Sequence, residues 1–281
     1  MNLPVVMSIA GSDNSAGAGA QADLKTFSAL GVYGVTAITC VVAEVPGKVS
    51  AIQPIEPRIV AEQIRLLFEA FPIAVVKTGM LYSREIIEAV AGALQSAISL
   101  VVDPVMVATS GDPLLQQDAI ALYRERLFPM AKVITPNLDE AAVLLGRPIA
   151  NLDDMRLGGR ELAARFGTAI LLKGGHLREA IATDLLFAGS EIHEFSAPFV
   201  PGVSTHGTGC TYSAAIAAQL AHGRPLVEAV AFAKRFVTNA ITNYLRWEKD
   251  GRITDALHHF APALEFPKSA AQHSTLNSQL S

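Results

Sequence analysis

Short runs of apolar and β-branched residues alternate along the chain with longer stretches whose apolar positions recur at helical spacing. Residues 4–10 (PVVMSIA), 34–43 (GVTAITCVVA), 73–79 (IAVVKTG), 98–104 (ISLVVDP), 131–136 (AKVITP) and 169–175 (AILLKGG) read as strands. Between them 18–30, 57–70, 84–94, 113–127, 138–145 and 155–166 read as helices, and in 57–70 the residues Ile59, Ile64, Leu67 and Phe68 share one face. Gly31 stands where the first helix should stop. Residues 182–188 and 191–197 read as a hairpin around Gly189-Ser190, and two Ala-rich helices, 208–221 and 225–245, close the pattern. Such alternation predicts an α/β fold with a mostly parallel sheet covered by helices on both faces. No Pro/Ser-rich linker interrupts it, so a single domain over 1–262 is expected, with a flexible polar tail over 263–281.

Composition narrows the class. Of 281 residues 51% are hydrophobic, the net charge is -4 and the mean hydropathy is +0.35. The excess lies in Ala, Val, Ile and Leu, as parallel strands buried on both faces require. No stretch of about 18 residues is free of charges and turn residues, so no membrane span is expected. The opening MNLPVVMSIAGSD has no basic segment before its apolar run, which points to a cytoplasmic protein. Two cysteines, Cys40 and Cys210, make no disulfide framework and lack metal-ligand spacing. Mild acidity without a basic stripe excludes a nucleic-acid surface.

In a parallel sheet, ligands sit beyond the carboxyl ends of the strands. Those ends hold Gly11-Ser12-Asp13, Glu44, Lys77-Thr78-Gly79, Asp103-Pro104, Asn137 and Lys173-Gly174-Gly175. STHGTGCTYSAAIAA (204–218) carries two glycines into an Ala-rich helix, where free N–H groups and the positive helix end form an anion site. The same field would favour the Cys210 thiolate; the plain alternative is a Gly-containing loop entering a core helix. IAGSDNSAGAGAQADLKT (9–26) is a second Gly/Ser-rich loop but not a P-loop, and its Asp13 or Asp23 could hold a substrate hydroxyl. TPNLDEA places Asn137 and Glu140 three apart, suited either to water around Mg²⁺ or to a helix cap. Lys173 could meet phosphate oxygens. His206 and Cys210 are neighbours in sequence, which does not make them a hydrolytic dyad.

AGSDNSAGAGAQADLKTFSALGVYG, KTGML, DPVM, ITPNLDEA, LLKGGH and THGTGCTYSAAIAA, taken in order over about residues 5–245, resemble the hydroxymethylpyrimidine and phosphomethylpyrimidine kinases of thiamine biosynthesis, in the ribokinase-like superfamily. The resemblance implies a three-layer α/β/α sandwich, an ATP- and Mg²⁺-dependent phosphoryl transfer to 4-amino-5-hydroxymethyl-2-methylpyrimidine, extending to its monophosphate, and a homodimer. It further implies that Gly207, Thr208, Gly209 and Cys210 form the anion hole, with Cys210 taking the proton of the substrate hydroxymethyl. Asn137 and Glu140 would organise Mg²⁺ through water, and Lys173 and Thr208 would meet ATP phosphates. Gly11, Ala18, Asp23, Glu44, Met80 and Val107 would line the pyrimidine pocket. A pyridoxal or pyridoxine kinase, a kinase of a related pyrimidine and a non-catalytic vitamin-binding protein on the same fold are the alternatives.

The chain departs from the family at three places. Ser15-Ala16-Gly17-Ala18-Gly19 replaces Ser-Gly-Gly-Ala-Gly, Thr109 stands where lysine is usual, and Glu44 replaces a strand-end glutamine. A glutamine amide gives a donor and an acceptor; an ionised glutamate gives acceptors only. Glu44 fits the same ring if the ring nitrogen or Glu44 itself, its pKa raised by burial, is protonated; otherwise it favours a ring with two donors, or it points to solvent.

Overall fold

The computed structural model describes residues 3–95, 98–106, 115, 117–175, 180–203 and 206–260. The elements are β1 (Val5–Asp13), α1 (Gly19–Ala29), β2 (Tyr33–Val45), β3 (Lys48–Pro54), α2 (Pro57–Ala70), β4 (Ile73–Thr78), α3 (Arg84–Ala93) and β5 (Ser99–Val102). They continue with α4 (Gln117–Leu122), β6 (Val133–Ile134), α5 (Leu138–Leu145), α6 (Leu152–Phe166), β7 (Ala169–Lys173), β8 (Ile181–Ala188), β9 (Glu191–Pro198), α7 (Thr208–Ala221), α8 (Leu226–Thr242), β10 (Leu245–Lys249) and β11 (Arg252–Ala256).

One sheet runs in the order β3-β2-β1-β4-β5-β6-β7-β8-β9. From β2 to β7 every pairing is parallel, while β3, β8 and β9 join antiparallel at the two margins. Successive side chains of a strand point to opposite faces, and the two cores show it. Met7, Ile9, Leu100 and Val102 pack with Ile64 of α2, Ile87 of α3, Leu144 of α5 and Leu162 of α6. Val6 and Val101 face the other way, onto Phe27 of α1, Ile216 of α7 and Val230 of α8. The result is the expected three-layer α/β/α sandwich with a mostly parallel sheet.

Several boundaries differ from the sequence reading. The strand expected over 34–43 runs on to Val45 and turns back as β3, so Glu44 lies inside a hairpin, paired across a bulge with Val49. KVSAIQP carries no strand signal in its sequence because β3 is a largely exposed margin strand with no apolar run. The last helix stops at Thr242 rather than 245, and β10 and β11 follow as a separate hairpin. Its turn is Asp250-Gly251, both at positive φ (53° and 72°), the dipeptide that tight hairpin turns favour. Of the helix expected over 113–127, the described part is α4 followed by a π-turn at Tyr123–Leu127. The tail over 263–281 lies outside the described residues.

Candidate active site

The loop leaving β1 is shaped by one carboxylate. Asp13 is buried and accepts from the Ser15 N–H (2.7 Å), the Ser15 hydroxyl (3.0 Å) and the Ala18 N–H (2.7 Å). His206 Nε2 lies 2.9 Å from the same carboxylate. Burial works against its charge, but these donors outweigh burial and hold its pKa down at about 2. Ala16, where the family has glycine, sits at φ 58°, in the left-handed region.

Gly11 and Gly19 permit close approach of backbone here. A Cβ on Gly11 would stand 2.8 Å from Cys40 Sγ and 3.5 Å from Met80 Sδ; one on Gly19 would stand 2.5 Å from the Gly11 carbonyl. Gly11, Cys40 and Met80 thus form one apolar wall, continued by Val42 and Val105. The residue before α7 closes on the β1 loop at Gly17 and Ala18. Gly207 (φ 81°) would drive a Cβ to 1.8 Å from the Gly17 carbonyl and 3.2 Å from Ala18 Cα.

Gly207 is also the N-cap of α7, so Thr208, Gly209 and Cys210 occupy the first turn, whose N–H groups have no partner within the helix. The Thr208 hydroxyl is buried with no hydrogen-bond partner among the described residues. A Cβ on Gly209 would meet Lys173 Nζ at 3.2 Å, so this turn rests directly on a cation. Lys173, at the end of β7, donates to Asp103 at 3.0 Å. Asp103 also accepts from Thr135 (3.0 Å) and Ser213 (3.2 Å). Its burial is opposed by Lys173 and then Lys77, which hold the carboxyl below its ordinary range.

Asn137 and Glu140 form a reciprocal capping box at the start of α5. Asn137 Oδ1 accepts from the Glu140 N–H (2.9 Å) and Glu140 accepts from the Asn137 N–H (2.8 Å). The Met106 N–H also serves Glu140. Glu140 therefore accepts from two backbone donors. Burial, against the pull of Lys173, pushes Glu140 up to about 7, and the Asp103 charge adds to the rise.

Asp23 takes a place other than the one expected from the family. Its carboxylate has no solvent exposure and accepts from Lys77 (2.8 and 3.0 Å) and Ser8 (2.5 Å), deep beneath the loop. Burial opposes the charge on Lys77, but Asp23 outweighs it and keeps the ammonium above its ordinary pKa. Together with Asp103 and Lys173, this pair forms a charged layer beside Cys210 in the first turn of α7. Neither Lys77 nor Asp103 was given a catalytic part in the sequence reading; their places at strand ends were the available signal.

The thiol expected to be acidic is not. Cys210 keeps some exposure, yet burial of its sulfur raises the pKa to about 11, further than Lys77 and the Gly19 N–H pull it back. His206 pairs with Asp13 and makes no dyad with Cys210. Glu44 points neither to open solvent nor to an isolated pocket: its carboxylate, Asp13 and His206 have ligand atoms within 4.8 Å of one another. Its own N–H donates to Asn14 Oδ1 at 2.7 Å. Burial and Asp13 raise the Glu44 pKa, and His206 opposes them. Val107 and Thr109 lie outside the described residues. On the outer side of the loop, Ser15, Gly17, Lys25 and His206 share a cavity of about 280 Å³ with Trp247 and Phe260.

Two loops closing over paired lysines and carboxylates at the carboxyl ends of parallel strands suit the handling of a phosphoryl group. The hydroxymethylpyrimidine/phosphomethylpyrimidine kinase of Rhizobium meliloti is 47% identical over 258 residues, 91% of this chain and 97% of that protein. The enzyme of the same description from Salmonella typhimurium is 46% identical, covering 90% and 96%. Among solved structures, pyridoxal kinase from Staphylococcus aureus in complex with ADP superposes with a TM-score of 0.83 at 34% identity, covering 93% of this chain and 95% of that one. Phosphomethylpyrimidine kinase from Clostridium difficile gives 0.74 at 40% identity, covering 85% and 99%. Residues 13–254 match the family described as phosphomethylpyrimidine kinase, and the chain belongs to that family.

Proposed function

We propose that this chain transfers the terminal phosphoryl group of ATP to the hydroxymethyl of 4-amino-5-hydroxymethyl-2-methylpyrimidine, and then to the resulting monophosphate. The observation that carries the reading is the seating of Gly209 on the Lys173–Asp103 pair, with Gly207 against Gly17 and Ala18. Helix-terminal N–H donors and the Lys173 ammonium lie together at the start of α7, and Gly207 meets the β1 loop whose Gly11 packs against Cys40 and Met80. Phosphoryl transfer needs positioning and charge compensation more than covalent chemistry, and these groups supply both. The names of the curated relatives support the acceptor, and the ADP and AMP-PCP complexes of the S. aureus kinase support ATP.

In this proposal Gly207, Thr208, Gly209 and Cys210 hold the phosphoryl oxygens, and the unpaired Thr208 hydroxyl donates to one of them. Lys173 neutralises phosphate charge. Gly11, Ala18, Met80 and Glu44 face the ring, and Asp23 acts beneath them through Lys77. With its thiol protonated at neutral pH, Cys210 contributes chiefly its N–H, and the hydroxyl proton passes, late in a loose transition state, to an oxygen of the transferred phosphoryl group. Mg²⁺ fits Asn137 and Glu140 as a hydrated ion: the donors are hard oxygens, and the Asn137 Oδ1 and the Glu140 carboxylate already accept backbone N–H groups of the protein. There it would neutralise ATP phosphate charge. ADP release measured with this pyrimidine, its monophosphate and pyridoxal as rival acceptors tests the reading; preference for pyridoxal would favour the alternative.

A further inference from the structure

His206 precedes the anion-hole residues and has no part in the chemistry derived so far. Its imidazole is mostly buried, with 12% of the side chain exposed, and it stands where three segments meet. The first is the loop after β1: Nε2 lies 2.9 Å from Asp13, and Asp13 in turn fixes Ser15 and Ala18 through their N–H groups. A Cβ on Gly17 would stand 2.9 Å from His206 Cδ2, so the ring packs flush on that loop. The second is the β2–β3 hairpin, whose Glu44 carboxylate lies within 4.8 Å of the His206 and Asp13 ligand atoms and whose backbone is tied to Asn14. The third is its own segment, where the next residue, Gly207, touches the Gly17 carbonyl and caps α7.

We propose that His206 is a positioning residue that holds the phosphoryl-binding turn of α7 in register with the acceptor-binding loop, using Asp13 and Glu44 as its two anchors. The inference rests on the kinase reading above for its consequence in turnover. A donor at Nε2 ties Asp13, and through it Ala18 of the proposed acceptor loop, to the segment that leads into Gly207 of the proposed phosphoryl-binding turn. A displacement of about 1 Å between such sides costs on the order of 100-fold in rate. The other charged or titratable groups around the ring are Lys25 of α1, whose ammonium donates to the Ala16 carbonyl at 2.7 Å, and Asp255 and His259 across the shared cavity. Asp255 is engaged by Arg246 at 2.7 Å and His259 by the Thr211 hydroxyl at 3.0 Å, which leaves Asp13 and Glu44 as the anchors.

Two measurements on the full chain test this. In turnover, His206→Ala is expected to lose about 10-fold or more in kcat, while His206→Gln, which keeps a donor near Nε2, recovers most of it. Adding Asp13→Asn to His206→Ala should cost less than Asp13→Asn costs the unaltered chain, because one of the linkages of Asp13 is already broken. Wild-type kcat in a folded His206→Ala, or losses that simply multiply, would overturn the proposal; if His206→Ala does not fold, the cycle of His206→Gln with Asp13→Asn decides it in the same way. The second measurement needs no turnover. Titration of the His206 ring protons by NMR should give a pKa above the ordinary imidazole value that falls in Glu44→Gln and falls further in Asp13→Asn. A His206 pKa indifferent to both substitutions would remove the two anchors whether or not the chain is a kinase.

Discussion

The Lys173 ammonium stands 3.0 Å from Asp103 Oδ1 and directly beneath Gly209, so one charged pair joins the ends of β5 and β7 to the first turn of α7. Lys173→Met removes the hydrogen-bonded counter-charge of the buried Asp103 and leaves Lys77 alone to oppose its burial. The expected cost is about 3–5 kcal/mol of stability. The cost in kcat/KM is expected to be about 100-fold or more, through the lost phosphate contact. Urea unfolding and steady-state kinetics on the same preparation separate the two. An unchanged kcat/KM in the folded variant would detach Lys173 from the phosphates.

Cys210 should behave as a protected thiol. With its pKa pushed up to about 11, only about one molecule in 10,000 carries the thiolate at pH 7. Alkylation by iodoacetamide is expected to be slow at neutral pH and to rise steadily up to pH 10. An apparent pKa below 8 would contradict the burial argument. A loss of about 100-fold in Cys210→Ala would reinstate the sulfur as proton acceptor; the protonated thiol implies a smaller loss.

Ala16 occupies a conformation that suits glycine. At φ 58° its Cβ crowds the backbone, a cost of about 1–2 kcal/mol that glycine avoids, offset in part by glycine's greater freedom when unfolded. Ala16→Gly is therefore expected to stabilise the chain by about 1 kcal/mol. Differential scanning calorimetry should show a higher Tm, and a lower one would mean that the loop gains more from a stiff residue than it loses to strain.

Glu140 makes stability depend on pH. Its folded pKa of about 7 lies above the usual carboxyl value of 4.5, so between those values the folded chain binds more protons than the unfolded one. Stability from this group is present below about pH 4.5 and is lost as pH rises toward 7. His206, also raised, adds a loss of the same sign as pH rises above 6.5, whereas the depressed Asp13 acts only in acid, below 3.8. Glu140→Gln should flatten the slope of unfolding free energy between pH 5 and 7, after allowing for about 1 kcal/mol from the weakened cap. An equal slope in both proteins would place the titration elsewhere. Bound Mg²⁺ favours the ionised carboxylate, so the same slope should shrink when Mg²⁺ and nucleotide are added.

Much of the fold was legible because its strongest signals are local. The buried strands are continuous apolar runs, and the caps of α5 and α7 are written in Asn137, Glu140 and Gly207. The β3 strand was invisible because it is largely exposed, so burial left no pattern in it. The Asp250-Gly251 turn could have been read, but the Ala-rich helix before it masked the change of period. At the site, strand ends marked Lys77, Asp103 and Lys173 as residues to consider, yet their pairing depends on which strands lie side by side. Cys210 was misjudged for a related reason: a helix start favours a thiolate, but only the packed structure shows that burial of the sulfur outweighs that field. Glu44 read as an oddity at a strand end; its pairing with His206 and Asp13 spans residues 13 to 206 and has no local trace.

The most direct test is to incubate the purified chain with 4-amino-5-hydroxymethyl-2-methylpyrimidine, ATP and Mg²⁺, and to identify the products by mass spectrometry. The expected result is the monophosphate followed by the diphosphate, each formed with one equivalent of ADP, and neither formed by Lys173→Met at a comparable rate. Binding of the pyrimidine and ATP without any phosphorylated product would contradict the account.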